Sequence, residues 1–137
     1  MPLREPNRET YTEAMIHVLI LEEHDLVRQA LEEHLRITRG LDVIHSTGSY
    51  TEAVSCARDE QPDVILMEIK TSEGMETLKA LRQALPKSAI IVLTSYLDSR
   101  EEAEVLQMGA CAYLLKSIDT GELVRQIQES ARAVLAS

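Results

Sequence analysis

The sequence lacks the features that mark a cysteine-ligated metal site, a secreted protein or a nucleic-acid-binding protein. Its two cysteines, Cys56 and Cys111, have no metal-ligand spacing, and no signal peptide or membrane-length apolar stretch precedes them. The 14 basic residues are scattered along a chain of formal net charge −9, whereas phosphate binding needs clustered lysine and arginine. These absences predict a cytoplasmic protein with reduced thiols, no membrane association and no direct contact with DNA.

Four apolar runs each end in residues that can carry chemistry. The runs cover residues 18–21, 64–67, 90–93 and 113–115. Runs that are apolar throughout are typical of strands buried on both faces of a parallel sheet, and the carboxyl ends of such strands meet along one edge. We therefore expect one site formed by the polar residues that follow the runs, which are Glu22, Glu23, Glu68, Thr94 and Lys116.

The order of apolar runs and turn residues predicts one domain of five strand–helix repeats. A chain of 137 residues that is 45% hydrophobic fits a single core. The predicted strands cover residues 16–21, 41–46, 63–69, 89–94 and 112–116. Because each is followed by apolar residues at helical spacing, and crossovers are right-handed, we expect an α/β fold with a doubly wound parallel sheet.

Capping residues predict where several helices begin. Asp25 can cap the first helix. Ser99 with Glu102 forms a capping box for the fourth helix, and Asp119 with Glu122 is placed to cap the fifth in the same way.

The two ends of the chain fall outside this pattern. Residues 1–15 are mostly polar and have no periodicity, so we expect a disordered lead; a translation start at Met15 and a functional arm are both compatible with these residues. The last helix runs on without a stop signal, so residues 136–137 are expected to begin a linker to a C-terminal output domain outside this sequence. The predicted domain covers residues 16–135.

Four strings carry a family resemblance. They are Leu21-Glu22-Glu23-His24, PDVILMEI at 62–69, VLT at 92–94 and GACAYLLK at 109–116. In this order they resemble the acidic pair, phosphoacceptor strand, switch hydroxyl and final strand of the receiver domain of bacterial two-component response regulators, most closely the LuxR/NarL-type group. The resemblance implies a flavodoxin-like (βα)5 fold with strand order 2-1-3-4-5, and a role in signal transduction and transcription control.

The resemblance also implies a phosphoryl-accepting aspartate after strand three, with Mg²⁺ held by it, the acidic pair and a main-chain carbonyl. This sequence has Glu68 there. Its carboxylate reaches roughly 1.5 Å further than that of aspartate, and in-line phosphoryl transfer tolerates such a displacement poorly. We therefore expect no phosphorylation at the usual site. Glu22, Glu23 and Glu68 are candidate Mg²⁺ ligands. The loop after Glu68 is shorter than in the family it resembles, so the main-chain carbonyl of Lys70 is not expected to take the usual position of the carbonyl ligand.

The charges of the site suggest how an unphosphorylated receiver could work. Two ionised carboxylates 4 Å apart repel by about 4 kcal/mol at an effective dielectric near 20. Lys116 can relieve this repulsion by pairing with Glu68, which is long enough to reach Thr94 as well. By the resemblance, Thr94 and Tyr113 are switch residues, so one hypothesis is a receiver fixed in an active-like state. The others are decay of the site in a domain kept for dimerisation, and control by a metal or small ligand.

An enzyme is the competing function class. A magnesium-dependent phosphatase on the same scaffold would need an aspartate nucleophile, whereas the sequence offers Glu68, no glycine-rich phosphate loop and no lid. We therefore expect no enzyme activity. The partners implied by the resemblance are a second copy, through helix 4, strand 5 and helix 5 or through helices 1 and 5, a sensor kinase, and DNA only through the missing output domain.

Overall fold

The computed structural model describes residues 15–136, with side chains as far as residue 134. Its strands are β1 (Ile16–Leu21), β2 (Leu41–Thr47), β3 (Val64–Glu68), β4 (Ala89–Thr94) and β5 (Ala112–Leu115). Its helices are α1 (Asp25–Arg36), α2 (Tyr50–Glu60), α3 (Ser72–Ala84), α4 (Ser99–Gln107) and α5 (Thr120–Ala136). The predicted lead, apart from Met15, and Ser137 of the predicted linker lie outside the described residues.

The five strands form one parallel sheet in the order β2-β1-β3-β4-β5, which confirms the predicted fold and strand order. Every residue of β3 and β4 is buried. These strands contain runs of branched apolar residues because both of their faces are covered by helices. The C-terminal ends of all five strands therefore lie along one edge, where the polar residues that follow them can meet.

The core has two layers, one on each face of the sheet. Alternate residues of the central strands, such as Ile65 and Met67, pack with α2, α3 and α4. Their neighbours, such as Val64 and Leu66, pack with Leu35 of α1 and with the apolar stripe of α5. The alternation follows from the two-residue period of a strand, and it leaves α1 and α5 side by side on the same face.

The predicted helix starts are correct for α5 and wrong for α1 and α4. Asp119 caps α5 by accepting a hydrogen bond from the Glu122 N–H. Asp25 is the first residue of α1, whose N-cap is His24 and has no side-chain cap. The cap of α4 is Asp98, one residue before Ser99, because Asp98 has the extended backbone of a cap and accepts from two amides of the first turn.

Arg82 joins the ends of α3 and α4 at the opposite edge of the sheet. Its guanidinium donates hydrogen bonds to the carbonyls of Gly109, at 3.0 Å, and Ser88, at 2.6 Å. Gly109 has φ of +111°, and a Cβ placed on it would overlap Arg82 Cδ and lie 2.7 Å from Cγ. The side chain of Arg82 therefore occupies space that only glycine leaves open. No helix within residues 15–136 is both long enough and apolar enough to cross a membrane.

Candidate functional site

Three ionisable side chains meet at the C-terminal edge of the sheet. Glu22 follows β1, Glu68 is the last residue of β3, and Lys116 follows β5. The ammonium of Lys116 lies 2.6 Å from Glu68 Oε2 and 2.9 Å from Glu22 Oε1. Both glutamates are 2% exposed, and the side chain of Lys116 is 14% exposed. The centre of the site is therefore a buried bridge of one cation between two carboxyl groups.

Main-chain amides of the turn after β1 donate one hydrogen bond to each of the two carboxyl groups. The N–H of Glu23 donates to Glu68 Oε1 at 2.7 Å, and the N–H of His24 donates to Glu22 Oε2 at 2.9 Å. Both oxygens of Glu68 are thus occupied, one by an amide and one by Lys116. Such charge-assisted hydrogen bonds are among the strongest in proteins, so they hold the Glu68 carboxylate in one orientation.

Burial and neighbouring charge move the two carboxyl pKa values in opposite directions. Burial, together with the nearby Glu68, raises the pKa of the Glu22 carboxyl. Burial would also raise the pKa of Glu68, but hydrogen bonds from Glu22, Lys116 and the Glu23 amide outweigh it and lower that pKa. Burial opposes the charge of Lys116, yet its two carboxyl partners raise its pKa. Glu68 is therefore the member of the pair that carries the negative charge most readily.

The second acid of the predicted pair does not join this cluster. The side chain of Glu23 is exposed, and only its main chain contacts Glu68. Within the described residues, no three His, Cys, Asp or Glu side chains are grouped as metal ligands. The position between Glu22 and Glu68 is taken by the Lys116 ammonium. This donor set does not fit the Mg²⁺ ion that the sequence resemblance suggested.

Thr94 and Tyr113, the two predicted switch residues, both contact the loop between β4 and α4. The Thr94 hydroxyl donates to the Tyr96 carbonyl at 2.9 Å, so it does not make the contact with Glu68 that was expected. Tyr113 is 7% exposed and turned inward. Its hydroxyl accepts from the Asp98 N–H and lies 2.7 Å from Glu101 Oε1.

Two charged residues of the site were missed by the sequence reasoning. Glu101 lies on the helix α4, and its carboxylate accepts a hydrogen bond from the Tyr113 hydroxyl. Lys70, considered only for its carbonyl, brings its ammonium within 3.8 Å of Glu68 Oε2 while remaining 44% exposed. Glu101 lies on an amphipathic helix, whose pattern gives no signal for a contact with a distant strand. Lys70 lies in the loop between β3 and α3, and the direction of its side chain depends on the path of that loop.

We expect the Glu22→Gln variant to gain stability relative to the wild-type protein as pH rises. Because the pKa of Glu22 is raised in the folded state, its contribution to the free energy of unfolding is fully present below its ordinary pKa of 4.5. That contribution is lost as pH rises through the raised value. Glutamine has no proton to lose, so the difference in unfolding free energy should shift in its favour across that range. Urea unfolding at several pH values measures it.

Glu32→Gln provides a control of opposite sign. Hydrogen bonding to Arg36 lowers the pKa of Glu32, so this group stabilises the wild-type fold above pH 4.5, and its variant should lose stability as pH rises. A difference between Glu22→Gln and wild type that stays constant over the whole pH range would contradict the raised pKa of Glu22.

Comparisons with known proteins agree with this architecture. The sequence profile named response regulator receiver domain matches residues 18–128. Two relatives from Bacillus subtilis (strain 168) are each 35% identical. They are the transcriptional regulatory protein LnrK, aligned over 82% of this chain and 52% of its own length, and LiaR, over 86% and 57%.

A solved structure has the same fold. It is the LuxR-family two-component response regulator from Aurantimonas sp. SI85-9A1, with a TM-score of 0.80, 23% sequence identity and coverage of 87% of this chain and 86% of that one. The chain spans about half the length of the curated relatives it matches. On the match of residues 18–128 and the shared sheet order, the chain belongs to the response regulator receiver domain family.

Proposed function

We propose that this receiver works without an acyl phosphate, with the Glu68 carboxylate itself serving as the anion that Lys116 binds. The observation that carries the proposal is the 2.6 Å contact between Lys116 Nζ and Glu68 Oε2. A nucleophile must present a free oxygen in line with the incoming phosphorus atom. Both oxygens of Glu68 are engaged and the residue is 2% exposed, so its carboxylate is poorly placed to attack.

The inward position of Tyr113 supports a single, active-like state. Its hydroxyl is held by three groups on the β4–α4 loop and α4, including the Asp98 amide and Glu101. The Lys116 amide donates to the Thr94 carbonyl at 2.7 Å, so the bridging lysine is connected to the strand end from which this loop starts. In this proposal, the Glu68–Lys116 pair keeps the loop and Tyr113 in one arrangement without a kinase.

We infer that the output of this receiver belongs to a further domain, as the lengths of its relatives suggest. LnrK and LiaR are named transcriptional regulatory proteins, and the chain aligns with 52% and 57% of their lengths. We infer that the whole protein regulates transcription through a further DNA-binding domain, and that the receiver controls it by assembly. The charge of −9 on this chain is consistent with DNA contacts made elsewhere.

Incubation with a small-molecule phosphodonor and magnesium should leave the intact mass of the wild-type chain unchanged. The Glu68→Asp variant restores the shorter carboxylate, which no longer reaches Lys116 in the same geometry and is freer to attack. We therefore expect a phosphoryl group to be gained, if at all, only by the Glu68→Asp variant. Intact-mass spectrometry measures this gain, with a receiver that has the usual aspartate as the positive control. A phosphoryl group on the wild-type chain would overturn the proposal.

An apolar groove between α1 and α5 supports self-association through these helices. The groove encloses about 370 Å³. Its lining includes Leu26, Val27, Ala30, Leu31, Ile118 and Leu123. Of these residues Leu26, near the start of α1, is 71% exposed and projects at the mouth of the groove. A two-fold interface needs a projecting group and a recess on the same surface, and this face offers both, so its proposed occupant is a second copy of the chain.

We expect Leu26→Arg to shift the protein toward the monomer in sedimentation velocity experiments, because a buried charge would oppose closure of the groove. Ile37→Arg is the matched control, since Ile37 is 84% exposed at the C-terminal end of α1 and does not line the groove. Equal effects of the two substitutions would argue against this face. Glu68→Gln tests whether the ion pair governs assembly: unchanged sedimentation would favour simple decay of the site.

A further inference from the structure

Arg28, the fourth residue of α1, folds back onto the turn that connects β1 to this helix. Its Nη1 donates to the carbonyl of Glu22 at 2.8 Å, and its Nη2 donates to Asp25 Oδ1 at 2.8 Å. The side chain is 24% exposed. A surface ion pair with Asp25 alone would contribute little, but the bond to the Glu22 carbonyl reaches into the acidic site.

The carbonyl of Glu22 and the N–H of Glu23 belong to one peptide group. This group is planar and trans, so its C=O and N–H point in opposite directions. Arg28 binds the oxygen end, and Glu68 Oε1 accepts from the hydrogen end at 2.7 Å. A cation and a carboxylate are therefore joined through a rigid unit that cannot turn without breaking one of the two hydrogen bonds.

The cation lies at the negative end of the peptide dipole and the carboxylate at its positive end, so both charges are stabilised. A cation at the carbonyl oxygen polarises the peptide group and makes its N–H a stronger donor, because hydrogen bonds in a chain reinforce one another at low local dielectric. The positive charge of Arg28 thereby acts on Glu68 without contacting it.

Gly48 provides the space that Arg28 needs. A Cβ on Gly48 would lie 2.8 Å from Arg28 Nη1, closer than side chains normally approach. The turn that contains Gly48 is also tied to the same segment, because the Glu22 N–H donates to the Thr47 carbonyl at 3.0 Å. The turn after β1 is thus held from α1 on one side and from the turn after β2 on the other.

We propose that Arg28 is a positioning residue for Glu68 and acts through the Glu22–Glu23 peptide group. The inference rests on the proposed function, because it explains how the carboxylate that stands in for a phosphoryl group is kept in place. Removal of Arg28 should release the peptide group and weaken the Glu23–Glu68 hydrogen bond.

The test reads the Glu23 amide directly by NMR in the ¹⁵N-labelled chain. In Arg28→Met, which keeps much of the aliphatic stem, the amide proton of Glu23 should move upfield and exchange with solvent faster. Arg28→Lys retains a cation able to reach the carbonyl and should recover most of the wild-type shift. Arg36→Met is the control, since Arg36 lies on the same helix but binds Glu32 and the Val43 carbonyl. It should leave the Glu23 signal unchanged.

A second variant approaches the same group from the other side. Gly48→Ala should displace the guanidinium and move the Glu23 signal in the same direction. Its effect should be much smaller in the Arg28→Met background, where only the ordinary contacts of the new methyl group with Glu22 O and Glu23 Cα, each at 3.4 Å, remain. An unchanged Glu23 signal in Arg28→Met, or equal effects of Gly48→Ala with and without Arg28, would overturn the inference. Phosphorylation of the wild-type chain would instead overturn the proposed function. The comparison of Glu23 signals among the unphosphorylated variants would still test the role of Arg28.

Discussion

Lys116→Met is expected to lower the free energy of unfolding by about 3–5 kcal/mol at neutral pH. Methionine has similar length, but it leaves the Glu22 and Glu68 carboxyl groups, each 2% exposed, without their shared cation. An uncompensated buried charge is far costlier than the net value of the ion pair, because its desolvation is no longer offset. The midpoint of urea unfolding, compared at constant m-value, measures the loss.

The double variant Lys116→Met/Glu68→Gln separates charge from packing. If the loss comes from the uncompensated carboxylate, the second substitution should restore much of the stability that the first removes, and the two effects should be strongly non-additive. The cost of Lys116→Met should also shrink at acid pH, where the carboxyl groups are protonated. A loss that is the same at pH 4 and pH 8, with additive substitutions, would mean that Lys116 contributes through packing alone.

Gly109→Ala is expected to lower the free energy of unfolding by about 3 kcal/mol. Two costs add here. The backbone at φ of +111° is strained for any residue with a Cβ, at roughly 1–3 kcal/mol. The new methyl group overlaps the Arg82 side chain, and overpacking of this kind costs roughly 1–3 kcal/mol. Displacement of Arg82 would also weaken its hydrogen bond to the Gly109 carbonyl.

Gly40→Ala is the matched control for this effect. Gly40 has φ of +87°, but a Cβ placed there would meet nothing within 4 Å. Its substitution should therefore carry only the backbone cost, of about 1–3 kcal/mol. Equal losses for the two variants would show that the contact with Arg82 adds nothing. The combination Gly109→Ala/Arg82→Ala should then behave additively, whereas a real overlap predicts a smaller combined loss.

The fold could be predicted because its signals are local and repeated. The continuous apolar runs of β3 and β4 have a direct cause in burial on both faces, and the residues after them fix which edge carries the site. The sequence signals for the helix starts compete with one another. Asp98 and Ser99 are both good caps, and each is followed three residues later by a glutamate, so two overlapping capping boxes compete in the sequence.

The arrangement of the site could be predicted only in part. Adjacent residues after a strand project in different directions, and this is why Glu22 enters the site while Glu23 contributes only its main chain. The sequence cannot reveal that the Thr94 hydroxyl bonds to Tyr96, because that choice depends on the path of the β4–α4 loop. The role of Arg28 likewise depends on the orientation of one peptide group, which no residue pattern records.

Lys116 belongs both to the buried acidic site and to the surface groove. It bridges the buried acids, and it also lines the groove between α1 and α5. If a second copy closes that groove, association and the ionisation of the acids become thermodynamically linked, and the linkage is reciprocal. If association changes the proton affinity of the acids by some factor, protonation of the acids must change the association constant by the same factor. The receiver would then respond to the proton concentration of its surroundings through its oligomeric equilibrium, even if no phosphoryl group is ever transferred to it.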